Sequence, residues 1–172
     1  MPVLLGSVRA HRAFGWGIQG LEGQRKPAIL FVCMGNICRS PTVEAVARAE
    51  FARSGLDAVV ASAGTEDYHV GQGADRRAIA FAKAHGYELA AHRARQVQRT
   101  DFDTYDLVLA MDRRNLEDLE RFVPARASRV PLLFLGDAEV PDPYYGGDAE
   151  FLRVIELARM GVAALATRLR AT

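Results

Sequence analysis

The chain has 172 residues, 49% of them hydrophobic, and its 22 Lys and Arg nearly balance its 21 Asp and Glu. This length and composition predict one globular domain and exclude a chain that is disordered throughout. No apolar run reaches the roughly 20 residues that span a bilayer, a net charge of +1 gives no general attraction for nucleic acid, and two cysteines cannot form a disulfide framework.

Residues 1–26 differ in composition from the rest of the chain. They contain four basic residues, one acidic residue and five of the 15 glycines. Their longest apolar run, Val3–Leu5, is shorter than the roughly 7–15 residues of a signal-peptide core. We therefore expect residues 1–26 to be a disordered, basic, glycine-rich extension and residues 27–172 to form the folded domain.

From residue 28 onward, strand and helix patterns alternate. Short apolar runs at 28–32, 58–62, 107–111 and 130–135 predict strands that are covered on both faces. Capping residues and apolar periodicity predict four helices: one capped by Ser40 with Pro41 at its first position, one capped by Asp75, one that starts near Asn115 and one that starts near Asp148. This alternation predicts a three-layer α/β domain with a parallel sheet.

The candidate catalytic and anion-binding residues are concentrated where the first strand meets the first helix. Cys33 ends the strand, at the edge where open α/β sheets bind ligands. Gly35 and Asn36 tolerate the positive φ angles of an anion-binding turn, and the helix that begins at Ser40 adds its N-terminus. Arg39 supplies a planar fork for two phosphate oxygens. This positive setting favours a thiolate at Cys33 and predicts a phosphocysteine intermediate.

A cysteine followed by an arginine six positions later is a weak signal by itself. A buried thiol at a strand end and a solvated arginine at a helix start would explain the pair equally well. The strand–loop–helix context, with residues that suit a tight phosphate-binding turn, favours the catalytic interpretation.

Two segments resemble the low-molecular-weight protein-tyrosine phosphatases. The segment Val32–Pro41, which reads VCMGNICRSP, resembles the signature loop of that family. Asp142-Pro143-Tyr144 resembles the family's other signature, an Asp-Pro dipeptide whose aspartate is the general acid. Further blocks match in the same order at 62–65, 92–96 and 111–112. The resemblance covers residues 28–170 and implies a phosphatase I-like fold, with helices on both sides of a four-stranded parallel sheet.

The resemblance also implies a role for each matched residue. Cys33 is the nucleophile, Arg39 clamps the phosphoryl oxygens, Asp142 is the general acid and base, and Ser40 supports the thiolate. The backbone donors to the phosphate are Met34, Gly35, Asn36, Ile37 and Cys38. The polar network that holds the loop consists of Asn36, Ser62 and His92. The aromatic residues that line the cleft are Tyr68, Tyr144 and Tyr145.

Several of these residues have simpler interpretations when they are read alone. Asp142 before Pro143 is typical of a turn, His92 lies in a basic stretch that suits a solvated face, and Tyr144 and Tyr145 suit ordinary packing. The chain also departs from the family pattern, with Tyr68 in place of a common tryptophan.

The sequence therefore predicts a metal-independent protein-tyrosine phosphatase that acts on phosphotyrosine and small aryl phosphates. An arsenate reductase on the same scaffold needs further cysteines, and the chain contains only Cys33 and Cys38. A non-catalytic phosphotyrosine-binding module would be expected to lack Cys33 or Asp142, and both are present.

Other expectations concern partners and location. We expect no cofactor and no metal, because the histidines and cysteines lack zinc spacing. The expected partners are phosphotyrosine-containing proteins, with phosphate or vanadate as inhibitors and with neither nucleic acid nor membrane. We expect a cytoplasmic monomer or weak oligomer.

The second cysteine suggests redox sensitivity. Cys38 lies five positions after Cys33 in a loop that curls around one phosphate, so the two sulfurs should lie close together. An oxidised Cys33 could then be trapped as a disulfide. The alternative is that Cys38 is a small packing residue.

Overall fold

The computed structural model describes residues 16–18 and 25–172 of the chain. Within these ranges, four strands form one parallel sheet, β1 (Ala28–Cys33), β2 (Val59–Gly64), β3 (Leu107–Ala110) and β4 (Leu132–Leu133). The strand order is β2-β1-β3-β4, so β1 lies between two neighbours and carries its C-terminal residue to the middle of one sheet edge. All residues of β1 and β3 are buried, as expected for strands covered on both faces.

In the described part of the chain, five α-helices flank the sheet: α1 (Arg39–Arg53), α2 (Arg76–Ala84), α3 (Asp101–Thr104), α4 (Arg113–Leu119) and α5 (Asp148–Arg170). Successive residues of β1 enter different cores: Ile29 and Phe31 join the cluster with residues of α1, α2 and α5, whereas Leu30 and Val32 join the cluster on the other face. The sheet therefore separates two helical layers. This confirms the predicted three-layer fold with a four-stranded parallel sheet.

The bounds of several elements differ from the prediction, among them those of β4 and α1. The run 130–135 forms only a two-residue strand, because Pro131 has no N–H to donate and the chain turns at Gly136, where φ is 75°. Helix α1 begins at Arg39 and its N-cap is Cys38, so the prediction that Ser40 caps it was wrong. The cap of α2 was predicted correctly, since the side chain of Asp75 accepts a hydrogen bond from the backbone N–H of Arg77.

Part of the segment predicted to be a disordered extension packs against the domain. Trp16 and Ile18 are 2% and 4% exposed, and the indole Nε1 of Trp16 donates to the carbonyl oxygen of Leu133 at 3.2 Å. Arg25 pairs with the buried carboxylate of Asp106. The structure differs from the prediction at these residues. Residues 1–15 and 19–24 lie outside the described residues, and for them the prediction stays a prediction.

Candidate active site

The loop between β1 and α1, residues 33–40, is called the phosphate loop below. Its carbonyl groups are held from outside the loop. The carbonyl oxygen of Met34 accepts from the backbone N–H of Glu66 at 3.0 Å, and that of Ile37 accepts from the backbone N–H of Asp75 at 2.8 Å. Since the C=O and N–H groups of a trans peptide point in opposite directions, these contacts turn the loop amides toward its interior. Among the described residues, the amides of Met34, Gly35, Ile37 and Cys38 have no acceptor.

Cys33 lies at the bottom of this loop, where β1 ends. Its Sγ is 3.0 Å from the Oγ of Ser40 and accepts a hydrogen bond from the backbone N–H of Asn36 at 3.3 Å. Only 3% of Cys33 is exposed. The sulfur therefore lies among donors that stabilise a negative charge, inside a ring of inward amides.

Asn36 holds the loop in its shape. Its φ is 55°, and among the described residues other than glycine no other φ is positive. Its side-chain Nδ2 donates to the Oγ atoms of Ser40 and Ser62, each at 2.9 Å, and its carbonyl oxygen accepts from His92 Nε2 at 2.7 Å. These contacts stabilise a left-handed conformation that is otherwise costly. The structure thus brings together the predicted residues Asn36, Ser62 and His92.

Two further members of this network were not predicted. The Oγ of Ser62 donates to Glu44 Oε2 at 2.5 Å, and the backbone N–H of Arg95 donates to Asn36 Oδ1 at 3.0 Å. Glu44 lies on α1 five positions after Arg39 and belongs to no catalytic motif. The role of Arg95 involves only its backbone, so no side-chain pattern could have indicated it.

Arg39 is aimed into the loop by two groups on neighbouring segments. It is 4% exposed, and its Nη1 donates to Asp112 Oδ2 at 2.5 Å and to the carbonyl oxygen of Val140 at 3.1 Å. Burial lowers the pKa of Arg39, but the neighbouring Cys33 and Asp112 raise it more, so the net pKa is above its usual range. The guanidinium therefore stays charged, and Asp112 fixes its orientation. The sequence analysis placed Asp112 in a family block without finding this role.

Asp142 lies in the loop between residues 141 and 147, called the acid loop below. Its Oδ2 is 3.6 Å from Arg39 Nη2, and its Oδ1 accepts from the backbone N–H of Tyr144 at 3.1 Å. The side chain of Asp142 is 42% exposed. The carboxylate thus faces the phosphate loop from the solvent side, opposite the sulfur of Cys33.

A cavity of about 260 Å³ opens between the phosphate loop and the acid loop. Tyr68, Tyr144 and Tyr145 form part of its lining and are 66%, 40% and 96% exposed. The rings of Tyr144 and Tyr145 meet edge to face, with centroids 4.9 Å apart. His69 was not singled out from the sequence, yet it also lines the cavity and packs against Gly35. The structure therefore places all three predicted tyrosines at the cavity.

Cys38 is a free, buried cysteine that belongs to the same loop. Burial raises its pKa well above the usual range, and the charges of Asp75 and Cys33 raise it further. Cys38 therefore keeps its proton at neutral pH, whatever the ionisation of Cys33.

Two further features concern residues 16–18 and 25–172, the described part of the chain. This part of the chain holds no group of three or more His, Cys, Asp or Glu side chains that could bind a metal ion. In the same ranges, no helix combines the length and apolar character needed to cross a membrane.

Comparisons with known proteins agree with this geometry. The family profile described as low molecular weight phosphotyrosine protein phosphatase matches residues 28–172. A low molecular weight protein-tyrosine-phosphatase of Streptomyces coelicolor is 45% identical over 150 residues, covering 79% of this chain and 91% of that protein.

Solved structures give the same result. A protein tyrosine phosphatase of Entamoeba histolytica with Hepes in its active site superposes with a TM-score of 0.80 at 36% identity, covering 85% of this chain and 98% of that one. Wzb of Vibrio vulnificus in complex with benzylphosphonate superposes with a TM-score of 0.74 at 31% identity, covering 84% and 99%.

Proposed function

We propose that Cys33, Arg39 and Asp142 carry out the reaction of this chain, which belongs to the low molecular weight phosphotyrosine protein phosphatases, a family of enzymes. The observation that supports this assignment is their convergence on one cavity. The cavity is lined by Cys33, Arg39 and Asp142, and Arg39 Nη2 lies 3.6 Å from Asp142 Oδ2.

In the first step, the thiolate of Cys33 attacks phosphorus and displaces the phenolate oxygen of phosphotyrosine. Arg39 and the inward amides of the phosphate loop hold the three non-bridging oxygens, where charge accumulates in the transition state. Asp142 donates its proton to the departing oxygen as the P–O bond breaks, so the tyrosine leaves as a neutral phenol. The product is a phosphocysteine at Cys33.

In the second step, water hydrolyses the phosphocysteine. Asp142, now a carboxylate, accepts a proton from the water as its oxygen attacks phosphorus. The S–P bond breaks, the thiolate of Cys33 returns and inorganic phosphate is released. The Oγ of Ser40 and the backbone N–H of Asn36 stabilise the thiolate as it leaves.

The cavity favours an aryl phosphate over an alkyl phosphate. Tyr68 and Tyr144 lie at its mouth, so a phosphorylated tyrosine can place its ring against aromatic side chains while its phosphate reaches Cys33. In the complex of Wzb with benzylphosphonate, a chain of the same fold binds a phosphonate that carries an aromatic ring, which supports the same substrate class. Inorganic phosphate and vanadate should compete for the loop.

The remaining features of this proposal concern the protein as a whole. The phosphatase domain comprises residues 27–172, with Trp16 and Ile18 packed into its core, and acts in the cytoplasm on phosphotyrosine-containing proteins. It works without metal or cofactor, as a monomer or weak oligomer.

One assay tests the proposed function. The purified chain should hydrolyse p-nitrophenyl phosphate in excess chelator, and Cys33→Ser should reduce turnover to background while phosphate or vanadate binding remains measurable. Cys38→Ser serves as the matched control, since it removes a thiol from the same loop without removing the nucleophile. Hydrolysis that persists in Cys33→Ser would refute the covalent mechanism.

A further inference from the structure

Arg77, at the start of α2, contacts the acid loop. Its Nη2 donates to the carbonyl oxygen of Tyr144 at 2.9 Å, and its Nη1 donates to that of Gly146 at 3.4 Å. These two carbonyls lie two and four positions after Asp142. The sequence analysis assigned no role to Arg77, because it lies 65 positions from Asp142 in a helix with no catalytic motif.

The guanidinium of Arg77 is itself held in place on its other edge. Its Nε and Nη2 donate to the carboxylate of Asp75 at 3.2 and 3.1 Å. Its Cζ lies 4.7 Å from the ring centroid of Phe151, a buried residue of α5, and 5.7 Å from that of Tyr144. Although the side chain of Arg77 is 44% exposed, it is therefore fixed by hydrogen bonds and by two aromatic rings.

Asp75 connects this arrangement to the phosphate loop. Its backbone N–H donates to the carbonyl oxygen of Ile37 at 2.8 Å, and its side chain caps α2 by accepting from the backbone N–H of Arg77. A continuous chain of contacts thus runs from Ile37 through Asp75 and Arg77 to the carbonyls of the acid loop.

We propose that Arg77 is a positioning residue for Asp142, and that it holds the acid loop at a fixed distance from the phosphate loop. General acid catalysis requires the carboxyl group to lie within hydrogen-bond reach of the leaving oxygen, so a small displacement lowers the rate. The acid loop contains Gly146 and Gly147 and has no helix or strand, so contacts from outside the loop help to fix it, and the two hydrogen bonds from Arg77 form one such contact. Arg77 supplies that contact without touching the substrate.

The test compares Arg77→Met with Arg76→Met. Methionine keeps the apolar part of the side chain out to the position of Nε but cannot donate to Tyr144, Gly146 or Asp75, and it lacks the guanidinium that lies over the ring of Phe151. The control changes the neighbouring arginine, which is exposed and makes none of these bonds within the described part of the chain. Thermal melting and the inhibition constant of inorganic phosphate verify that both variants are folded with an intact phosphate loop.

The readout is kcat/KM for two substrates, phenyl phosphate and p-nitrophenyl phosphate. Phenolate is a poor leaving group that needs a proton, whereas p-nitrophenolate leaves with little assistance. For Arg77→Met we expect about a tenfold loss on phenyl phosphate and less than about a threefold loss on p-nitrophenyl phosphate. Arg77→Lys should recover part of the lost rate, because an ammonium group can still donate to Tyr144. Arg76→Met should stay within about twofold of the parent on both substrates.

A double variant separates positioning from a general structural role. In an Asp142→Asn background, Arg77→Met should change kcat/KM for phenyl phosphate by less than about twofold, since the group it positions is already absent. The inference would be overturned if Arg77→Met lowered kcat/KM equally for both substrates, or if it bound phosphate more weakly than the parent. It would also be overturned if Arg77→Met lowered kcat/KM in the Asp142→Asn background as much as it does in the parent. The same holds if Arg77→Met behaves as Arg76→Met does.

This inference rests on the proposed role of Asp142 as the general acid, and the experiment distinguishes the two failures. If Asp142→Asn reduces both substrates equally, the proposed role of Asp142 fails. If Asp142→Asn is selective for phenyl phosphate but Arg77→Met is not, only the positioning role of Arg77 fails.

Discussion

The Sγ of Cys33 and the Oγ of Ser40 lie 3.0 Å apart, although the two residues belong to different elements, the end of β1 and the first turn of α1. Ser40 Oγ also accepts from Asn36 Nδ2 at 2.9 Å, and its own hydrogen has two acceptors within reach, the sulfur at 3.0 Å and the carbonyl oxygen of Ala63 at 3.4 Å. A thiolate is both the nearer and the charged acceptor of the two. The helix therefore presents a hydroxyl donor to the group that carries negative charge in both steps of the proposed reaction.

Removing this hydroxyl should slow the enzyme without preventing phosphate binding. A hydrogen bond to a charged group contributes roughly 1.5–3 kcal/mol, so Ser40→Ala should lower kcat by about 10- to 100-fold. Rapid-quench measurement of the phosphocysteine should show which step is slowed. Ser54→Ala, at the other end of α1, is the control. A kcat for Ser40→Ala within twofold of the parent would contradict this role.

The shape of the Arg39 side chain should matter as much as its charge. Lysine cannot donate to Asp112 and Val140 while also holding two phosphate oxygens, because it lacks the planar fork. We expect Arg39→Lys to lower kcat/KM by at least about 100-fold and to weaken phosphate inhibition. Arg53→Lys changes an exposed arginine on the same helix and should leave both constants unchanged. Near-parental activity in Arg39→Lys would show that charge alone suffices.

Asp142→Asn should have an effect that depends on the leaving group. The amide cannot donate a proton to phenolate, so phenyl phosphate should lose about 100-fold or more in kcat/KM, and an activated ester much less. Steady-state kinetics with a series of substituted phenyl phosphates tests this, because kcat/KM of Asp142→Asn should depend more steeply on the acidity of the leaving phenol than kcat/KM of the parent does. Parallel loss across the series would mean that Asp142 only shapes the acid loop.

Phosphotyrosine peptides should be hydrolysed much faster than phosphoserine peptides. The short alkyl chain of phosphoserine cannot bring its phosphate to Cys33 while contacting Tyr68 and Tyr144 at the mouth of the cavity. Phosphate release from matched peptides that differ only in the phosphorylated residue measures the ratio. Similar rates on the two peptides would contradict the role of the aromatic lining.

Peroxide should inactivate the enzyme reversibly. A peroxide oxidises the thiolate of Cys33 to a sulfenic acid, and the thiol of Cys38 then displaces water from it to give a disulfide. Both free thiols should disappear, dithiothreitol should restore activity, and bound phosphate should protect. Because the pKa of Cys38 is raised, disulfide formation from the sulfenic acid should accelerate with pH up to at least about 9.

The matched variant for this reaction is Cys38→Ser. It should keep near-parental turnover but lose most of its recovery, since the sulfenic acid has no neighbouring thiol and proceeds to sulfinic acid. Complete recovery of peroxide-treated Cys38→Ser with dithiothreitol would show that Cys38 does not protect Cys33.

The sequence predicted the fold and the centre of the site because both depend on local patterns. Apolar runs identified β1 and β3, the N-cap of α2 at Asp75 was read correctly, and the positive φ expected near Gly35 and Asn36 occurs at Asn36. The segment from Cys33 to Ser40 is contiguous, so its candidate catalytic and phosphate-binding residues could be recognised together in the sequence.

The other supporting residues, beyond the network of Asn36, Ser62 and His92, could not be predicted, because each acts across a stretch of sequence. Asp112 reaches Arg39 from the loop after β3, and Glu44 reaches Ser62 from α1. Gly64 was noted only as part of a matching block, yet a Cβ there would lie 2.5 Å from the carbonyl oxygen of Met34. Such constraints arise where elements meet, and residue type gives no sign of them.

Trp16 shows that the bounds of a family match and the bounds of a folded unit differ in this chain. The family profile starts at residue 28, whereas Trp16 is a 2% exposed member of the main hydrophobic core. A variant trimmed to the matched region would keep every proposed catalytic residue and still lose a large buried side chain beside the edge strand β4. Trp16 is the one tryptophan of the chain, so tryptophan fluorescence reports directly on whether this segment is packed against the domain. The emission of shortened chains that retain Trp16 can therefore guide the choice of the first residue.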